Sequence, residues 1–203
     1  MKANELIDKL EDLTEETFAP ETWYSFINDV LRDMTPGAKV FRTVDVEAEL
    51  DGEDVELSIS EHIPDAYEVV TVAYKPDGKG MRTLRKLSLH DHVSMGWIRT
   101  EDTLRVQNIP WGDGEVHVGF YEKLKLIEGD NDYTHHLPEE FEEILMRGVA
   151  AMAMQKVEDY ERKADFYGEY MIMKDRMAAD RIFEIEPWNR AMIIQAKLGG
   201  GRQ

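Results

Sequence analysis

From Pro138 onward the apolar residues recur every three to four positions, from Phe141, Ile144 and Leu145 through Met152 and Tyr160 to Tyr167, Met171 and Met177. That spacing matches the 3.6-residue turn of an α-helix and not the two-residue alternation of a strand. One unbroken helix over 138–182 would be about 67 Å long at the rise of an α-helix. A compact domain built from 203 residues does not accommodate such a rod. The run therefore either folds back as a hairpin or projects as part of an assembly. Glu143/Arg147, Glu158/Arg162 and Asp159/Lys163 are favourable pairs four residues apart. They argue against a break across 158–163 and leave Gly148 and Gly168 as the weaker points.

The entrance to this run is "NDYTHHLPEEFEEILMRGVA", Asn131 to Ala150. Adjacent His135 and His136 above Glu139, Glu140, Glu142 and Glu143 invite a metal reading. In an extended approach to Pro138 the two imidazoles point to opposite faces, so they do not share an ion. Glu139 and Glu140 fall in the first helical turn, where the helix dipole favours carboxylates. The stretch reads as a helix entrance at the Leu137-Pro138 step.

The chain also opens with helices. "NELIDKLEDL" sets Leu6, Leu10 and Leu13 on one face, with Asn4 as N-cap. A second helix begins at Pro20, a residue suited to a first turn, and carries Trp23, Ile27, Val30, Leu31 and Met34. "TPG", Thr35 to Gly37, is expected to stop it.

Residues 38–128 read as β structure. "KVFRTVDVEAEL" and "DVELSI" are expected to pair as a hairpin around Asp51-Gly52. "AYEVVTVAY" and "MRTLRKLSL" flank the turn "KPDGKG". "DTLRVQNI" and "EVHVGFYEKLKLI" flank "PWGDG" as a last hairpin. One helical turn is expected in "SLHDHVSMG", capped by Ser88 with Asp91 and ended by Gly96. Short strands at this spacing suggest a small barrel or sandwich.

The expected organisation is thus 1–37 as N-terminal helices packing with the C-terminal ones, 38–128 as a β module, 129–185 as the long helical region and 186–203 as an arm. The class is α+β, with helices from both ends flanking a small barrel- or sandwich-like module. Pro187 is expected to end the helical run. Beyond it the arm carries Trp188, Ile193, Ile194 and Leu198 before three glycines, and either packs back or is captured by a partner.

Composition narrows the chemistry. There are no cysteines, which removes disulfides, thiolate metal sites and cysteine nucleophiles. No apolar run is long enough to span a bilayer, and the charged start "MKANELIDKLEDLTEE" does not fit a secretory signal. The formal charge of −18 opposes tight binding to phosphates. No phosphate loop, dinucleotide fingerprint, nucleophile elbow or paired-histidine zinc motif occurs, so no catalytic, cofactor or metal residue is assigned. "DGKG" at 77–80 sits in a hairpin turn. His90 and His92, two apart on a helical turn, diverge, and His62 and His117 have no evident partners in the sequence. Met146, Met152, Met154, Met171, Met173 and Met177 crowd the third region, either as adaptable core filling or as a face that repacks against neighbouring subunits.

The order of these segments carries a resemblance. "IPDAYEVV" (Ile63 to Val70), "LRVQNIPWGDGEVHVGFYE", and the Leu137-Pro138 step before a long helix bearing Phe166 or Tyr167 follow an N-terminal helical "ETWYSFINDVLRDM". In that order they resemble the head–tail connector (adaptor, neck) proteins of tailed bacteriophages, over nearly the whole chain. "IPWGDG" departs from the family pattern in having one of the usual two prolines.

The resemblance implies a homo-oligomeric, twelve-fold ring below the portal protein. It would join the portal to a downstream tail or nozzle protein, in the neck of a virion assembled in the host cytoplasm. DNA would pass through without sequence-specific binding, and no membrane or cofactor is involved. An acidic conduit suits that task, because a lumen that neutralised phosphates would hold the DNA back. On this reading Met152, Tyr160, Tyr167 and Met171 contact neighbouring subunits, and Trp188, Ile193, Ile194 and Leu198 dock on the portal or a neighbour. The competing readings are an enzyme or metal protein using His90, His92, His135, His136 or the carboxylates, and a free-standing acidic interaction module.

Overall fold

In the computed structural model the long periodic run is two helices, α4 (Glu139–Lys156) and α5 (Tyr160–Gly199). The structure describes residues 2–48, 54–76, 80–91, 94–109, 114–129, 132 and 139–199, with the backbone alone at 48, 76, 139–140 and 180–199. The Asp51-Gly52, Pro-Asp-Gly and Trp-Gly-Asp-Gly turns, His92, His135, His136 and the Leu137-Pro138 step lie outside the described residues.

The break falls at 157–159, where the charge pairs argued for continuity. The N–H of Asp159 donates to the carbonyl of Met154 at 3.0 Å and that of Glu158 to Gln155 at 3.3 Å. These are the two bonds of a Schellman ending, with Glu158 left-handed at φ 63°. Asp159 then caps α5, its Oδ1 accepting from the Arg162 N–H at 3.1 Å. Asp159 thus serves the backbone of the next helix, where the sequence had suggested a pair with Lys163. The Arg162 guanidinium donates to the carbonyl of Leu13 at 3.3 Å.

α5 also runs through Pro187 to Gly199, where a helix end and an extended arm were expected. A proline inside a helix removes one hydrogen bond and disfavours, without forbidding, continuation. The side chains of Trp188, Ile193, Ile194 and Leu198 lie outside the described residues.

Two units form: Met1–Lys39 with Lys123–Ile182, and Val40–Glu122 with Phe183–Gln203. In the first, α1 (Ala3–Thr14) and α2 (Pro20–Ala38) pack on α4. Leu6, Leu10, Trp23, Ile27, Leu31, Leu145 and Met154 are fully buried. Asn4 is not the cap of α1; Lys2 holds that position, and its backbone N–H donates to Glu5 Oε2 at 3.0 Å. α2 continues past the expected stop, with Pro36 inside it and Lys39 left-handed at φ 43°. Asn28 clasps the segment after the last strand from both sides of its amide, donating to the Ile127 carbonyl at 2.9 Å and accepting from its N–H at 2.8 Å.

The second unit holds two antiparallel sheets. One has the order β1-β7-β3-β4, from Phe41–Ala48, Gly114–Glu122, Ala66–Pro76 and Arg82–Leu84. The other is β2-β6-β5, from Val55–Ser58, Thr103–Gln107 and Gly96–Arg99. Val46, Val72, Tyr74, Val116 and Val118 of the first share a core with Leu57, Trp97, Leu104 and Val106 of the second. The α+β class and sandwich-like middle expected from the sequence are what forms; the sheets do not close into a barrel.

Among the described residues, two expected hairpins do not form. β1 pairs with β7 and β2 with β6, so the strands around Asp51-Gly52 and around "PWGDG" belong to different sheets. The reason is length. β1 matches β7 over its whole span, from Phe41–Tyr121 to Ala48–Gly114, whereas β2 and β6 offer only short partners. The β3–β4 hairpin forms as expected, with Val72 opposite Leu84.

The helical turn expected in "SLHDHVSMG" is, among the described residues, a non-helical turn in which Asp91 N–H donates to Ser88 at 3.1 Å. Gly96 opens β5 instead of ending a helix; a Cβ there would lie 2.4 Å from the Arg85 carbonyl oxygen. The short helix of this unit is α3 (Ile59–His62), capped by Ser58.

Candidate functional site

Three helices of the first unit enclose a groove of about 560 Å³. α2 supplies Val30 and Asp33, α4 supplies Gly148 and Met152, and α5 supplies Tyr167 and Tyr170. Gly148 permits the close packing beneath it. A Cβ there would meet Val30 Cγ1 at 2.7 Å and the Tyr170 ring at 3.0 Å. The sequence had marked Gly148 as a possible break; it is a contact point inside an intact helix.

A polar cluster is anchored on Asp33 and Tyr170 of the groove wall. Tyr170 donates its phenol to Asp33 Oδ2 at 2.5 Å, and Lys174 Nζ lies 2.6 Å from the same oxygen. Burial works against the Asp33 carboxylate, but hydrogen bonds from Lys174 and Tyr170 and the lysine charge outweigh it and lower its pKa. Burial, then the bond to Asp33, push the Tyr170 phenol well above its ordinary value. The cluster binds α2 to α5. Arg147 of α4 adds a link to α5, with its Nε 3.1 Å from Glu169 Oε2, while its Nη2 lies 3.9 Å from Oε1 of the expected partner Glu143.

Of the residues proposed as subunit contacts, Tyr160 is 64% exposed and Tyr167 51%. Met152 and Met171 are half-buried. All four therefore keep surface that a neighbour could cover. Tyr160, Tyr167 and Met171, at spacings of seven and four, share one face of α5. The methionines divide: Met154 and Met177 are buried core, while Met146, Met152, Met171 and Met173 are half-buried.

The second unit brings together a group that the sequence did not show. His117 of β7 stands opposite Asp45 of β1, and its Nδ1 contacts the Asp45 carboxylate. Glu115, two residues earlier, lies on the same face. One ligand atom from each of the three falls within 4.8 Å of the others. Burial lowers the His117 pKa, which favours the neutral imidazole. Asp45 precedes Glu115 and His117 by 70 and 72 positions in sequence, and the β1–β7 register joins them. His62 and His90 are exposed and stand outside this group.

A family model described as SU10 adaptor protein matches residues 1–191. No curated protein matches the sequence. Among solved structures, a chain described as "Neck of empty GTA particle computed with C6 symmetry" shares 13% identity, covering 71% of this chain and 74% of its own, at a TM-score of 0.26. That likeness is too distant to bear on function.

Proposed function

The chain belongs to the SU10 adaptor protein family, and from that membership we propose that it is a structural adaptor of a phage neck that assembles as a ring. The ring, twelve-fold by the resemblance, joins the portal to the downstream tail or nozzle protein and lets DNA pass through its lumen. It performs no catalysis in this role. The observation that carries the reading is the family match, which spans both units and most of α5.

Physical features fit the role. Met152 and Tyr167 line the three-helix groove, and with the exposed Tyr160 and the half-buried Met171 they supply apolar area for neighbouring subunits. The segment from Pro187, with Trp188, Ile193, Ile194 and Leu198, is the part assigned to the portal or a neighbour. The formal charge of −18 disfavours retention of DNA phosphates.

Electron microscopy of the purified chain, alone and mixed with portal, tests the proposal. Rings that cap the portal are expected. Persistent monomers that ignore the portal would overturn it in favour of a free-standing acidic module. Truncation of 187–203 should leave the fold intact and abolish portal attachment.

A further inference from the structure

We propose that Asp45, Glu115 and His117 form a binding site for one divalent transition-metal ion of the zinc class on the outer face of the first sheet. The donors are two carboxylates and an imidazole, the set of borderline and hard ligands that zinc and its neighbours accept. Their ligand atoms already lie within 4.8 Å of one another. Two negative charges would balance the charge of the ion.

The placement comes from backbone geometry. Asp45 and His117 are directly opposed across β1 and β7, and Glu115 follows the pleat back to the same side. β7 is an interior strand, hydrogen-bonded to β1 on one side and β3 on the other, so two of the three ligands stand on a firmly held element. The side chains of Asp45 and Glu115 are 52% and 39% exposed, which leaves a path for the ion. A recess of about 100 Å³ bordered by His117, Thr43, Thr71 and Met81 adjoins the group and has room for the water that would complete the coordination. An ion held here would fasten the edge strand β1 to β7.

One group opposes the ion. Lys75 Nζ lies 3.1 Å from Glu115 Oε2. Its side chain is 49% exposed, and its flexible stem can carry the ammonium away. The proposal thus makes an unusual prediction: removing a surface lysine should strengthen metal binding.

Zinc chloride titrated calorimetrically into the full-length chain, beside thermal unfolding with and without zinc, provides the test. One zinc ion per chain and a raised melting temperature are expected. Asp45→Asn and His117→Gln should each weaken binding at least about tenfold and abolish the thermal shift. Lys75→Met should tighten binding, and His90→Ala should leave it unchanged. Asp45 is exposed, so Asp45→Asn carries the test even if His117→Gln does not fold. Absence of zinc binding, or binding that survives Asp45→Asn and is lost in His90→Ala, would overturn the proposal.

Discussion

The phenol of Tyr170 on α5 donates to Asp33 Oδ2 on α2 at 2.5 Å, an oxygen that also faces Lys174 Nζ at 2.6 Å. The two acids titrate in opposite directions. Asp33 has a lowered pKa, so its contribution is present above the ordinary carboxylate value of about 4 and is lost as pH falls through the folded-state value. Tyr170 has a raised pKa, so its contribution is present below the ordinary value of about 10 and is lost as pH rises beyond it. Urea unfolding across pH should therefore show stability falling at both ends. Tyr170→Phe should cost about 1 kcal/mol at neutral pH and flatten the decline above pH 10. An unchanged alkaline slope would show that the phenol is not held by this contact.

Two glycines of the C-terminal helices should respond oppositely to alanine. At Gly148 the new Cβ would press on Val30 and Tyr170, and overpacking should destabilise by about 1–3 kcal/mol. At Gly168 nothing lies within 4 Å, so alanine should stabilise by up to about 1 kcal/mol through helix propensity. Thermal unfolding of the two variants checks both signs.

The joint between α4 and α5 allows a similar pair. Asp159→Ala removes the cap on the Arg162 N–H and should cost about 1 kcal/mol. Glu158→Gly relieves a left-handed side-chain-bearing residue and should stabilise by a comparable amount, about 1 kcal/mol. If neither variant moves the unfolding midpoint, the joint is not formed as described.

Assembly should be separable from folding. Tyr160→Ser alters a residue that is 64% exposed, so its effect on monomer stability should stay within about 0.5 kcal/mol. Ring formation, followed by electron microscopy and sedimentation, should be weakened. Added salt should promote association of wild-type chains, because each carries a formal charge of −18 and screening shortens their repulsion. Association that weakens with salt would contradict that electrostatic account.

Local pattern reached some of these features and missed others for identifiable reasons. Leu6, Leu10, Trp23 and Ile27 were legible because a helix buries residues three and four apart, and those are close in sequence. The 157–159 joint was misread because Asp159 and Lys163 satisfy a helical charge pattern equally well when Asp159 is a cap. Glu158 offers no glycine to mark its left-handed turn. The β1–β2 and β6–β7 hairpins were misread because turn signals are local, while strand choice depends on matched length and a shared buried face. The Asp33–Tyr170–Lys174 cluster and the Asp45–His117 pair carry no sequence signal, since their members meet only through packing or register.

The sequence by itself determined the helical and β regions, the acidic charge and the ordered segments that mark an adaptor. The regions and the charge rest on periodicity and composition, which are properties of the unfolded polymer, and the adaptor assignment rests on the resemblance that the order of segments carries. Tertiary structure alone decided which strands pair, where the long helical run breaks, and which polar groups meet. Those outcomes depend on burying particular faces against elements many residues away, and no local window contains that competition.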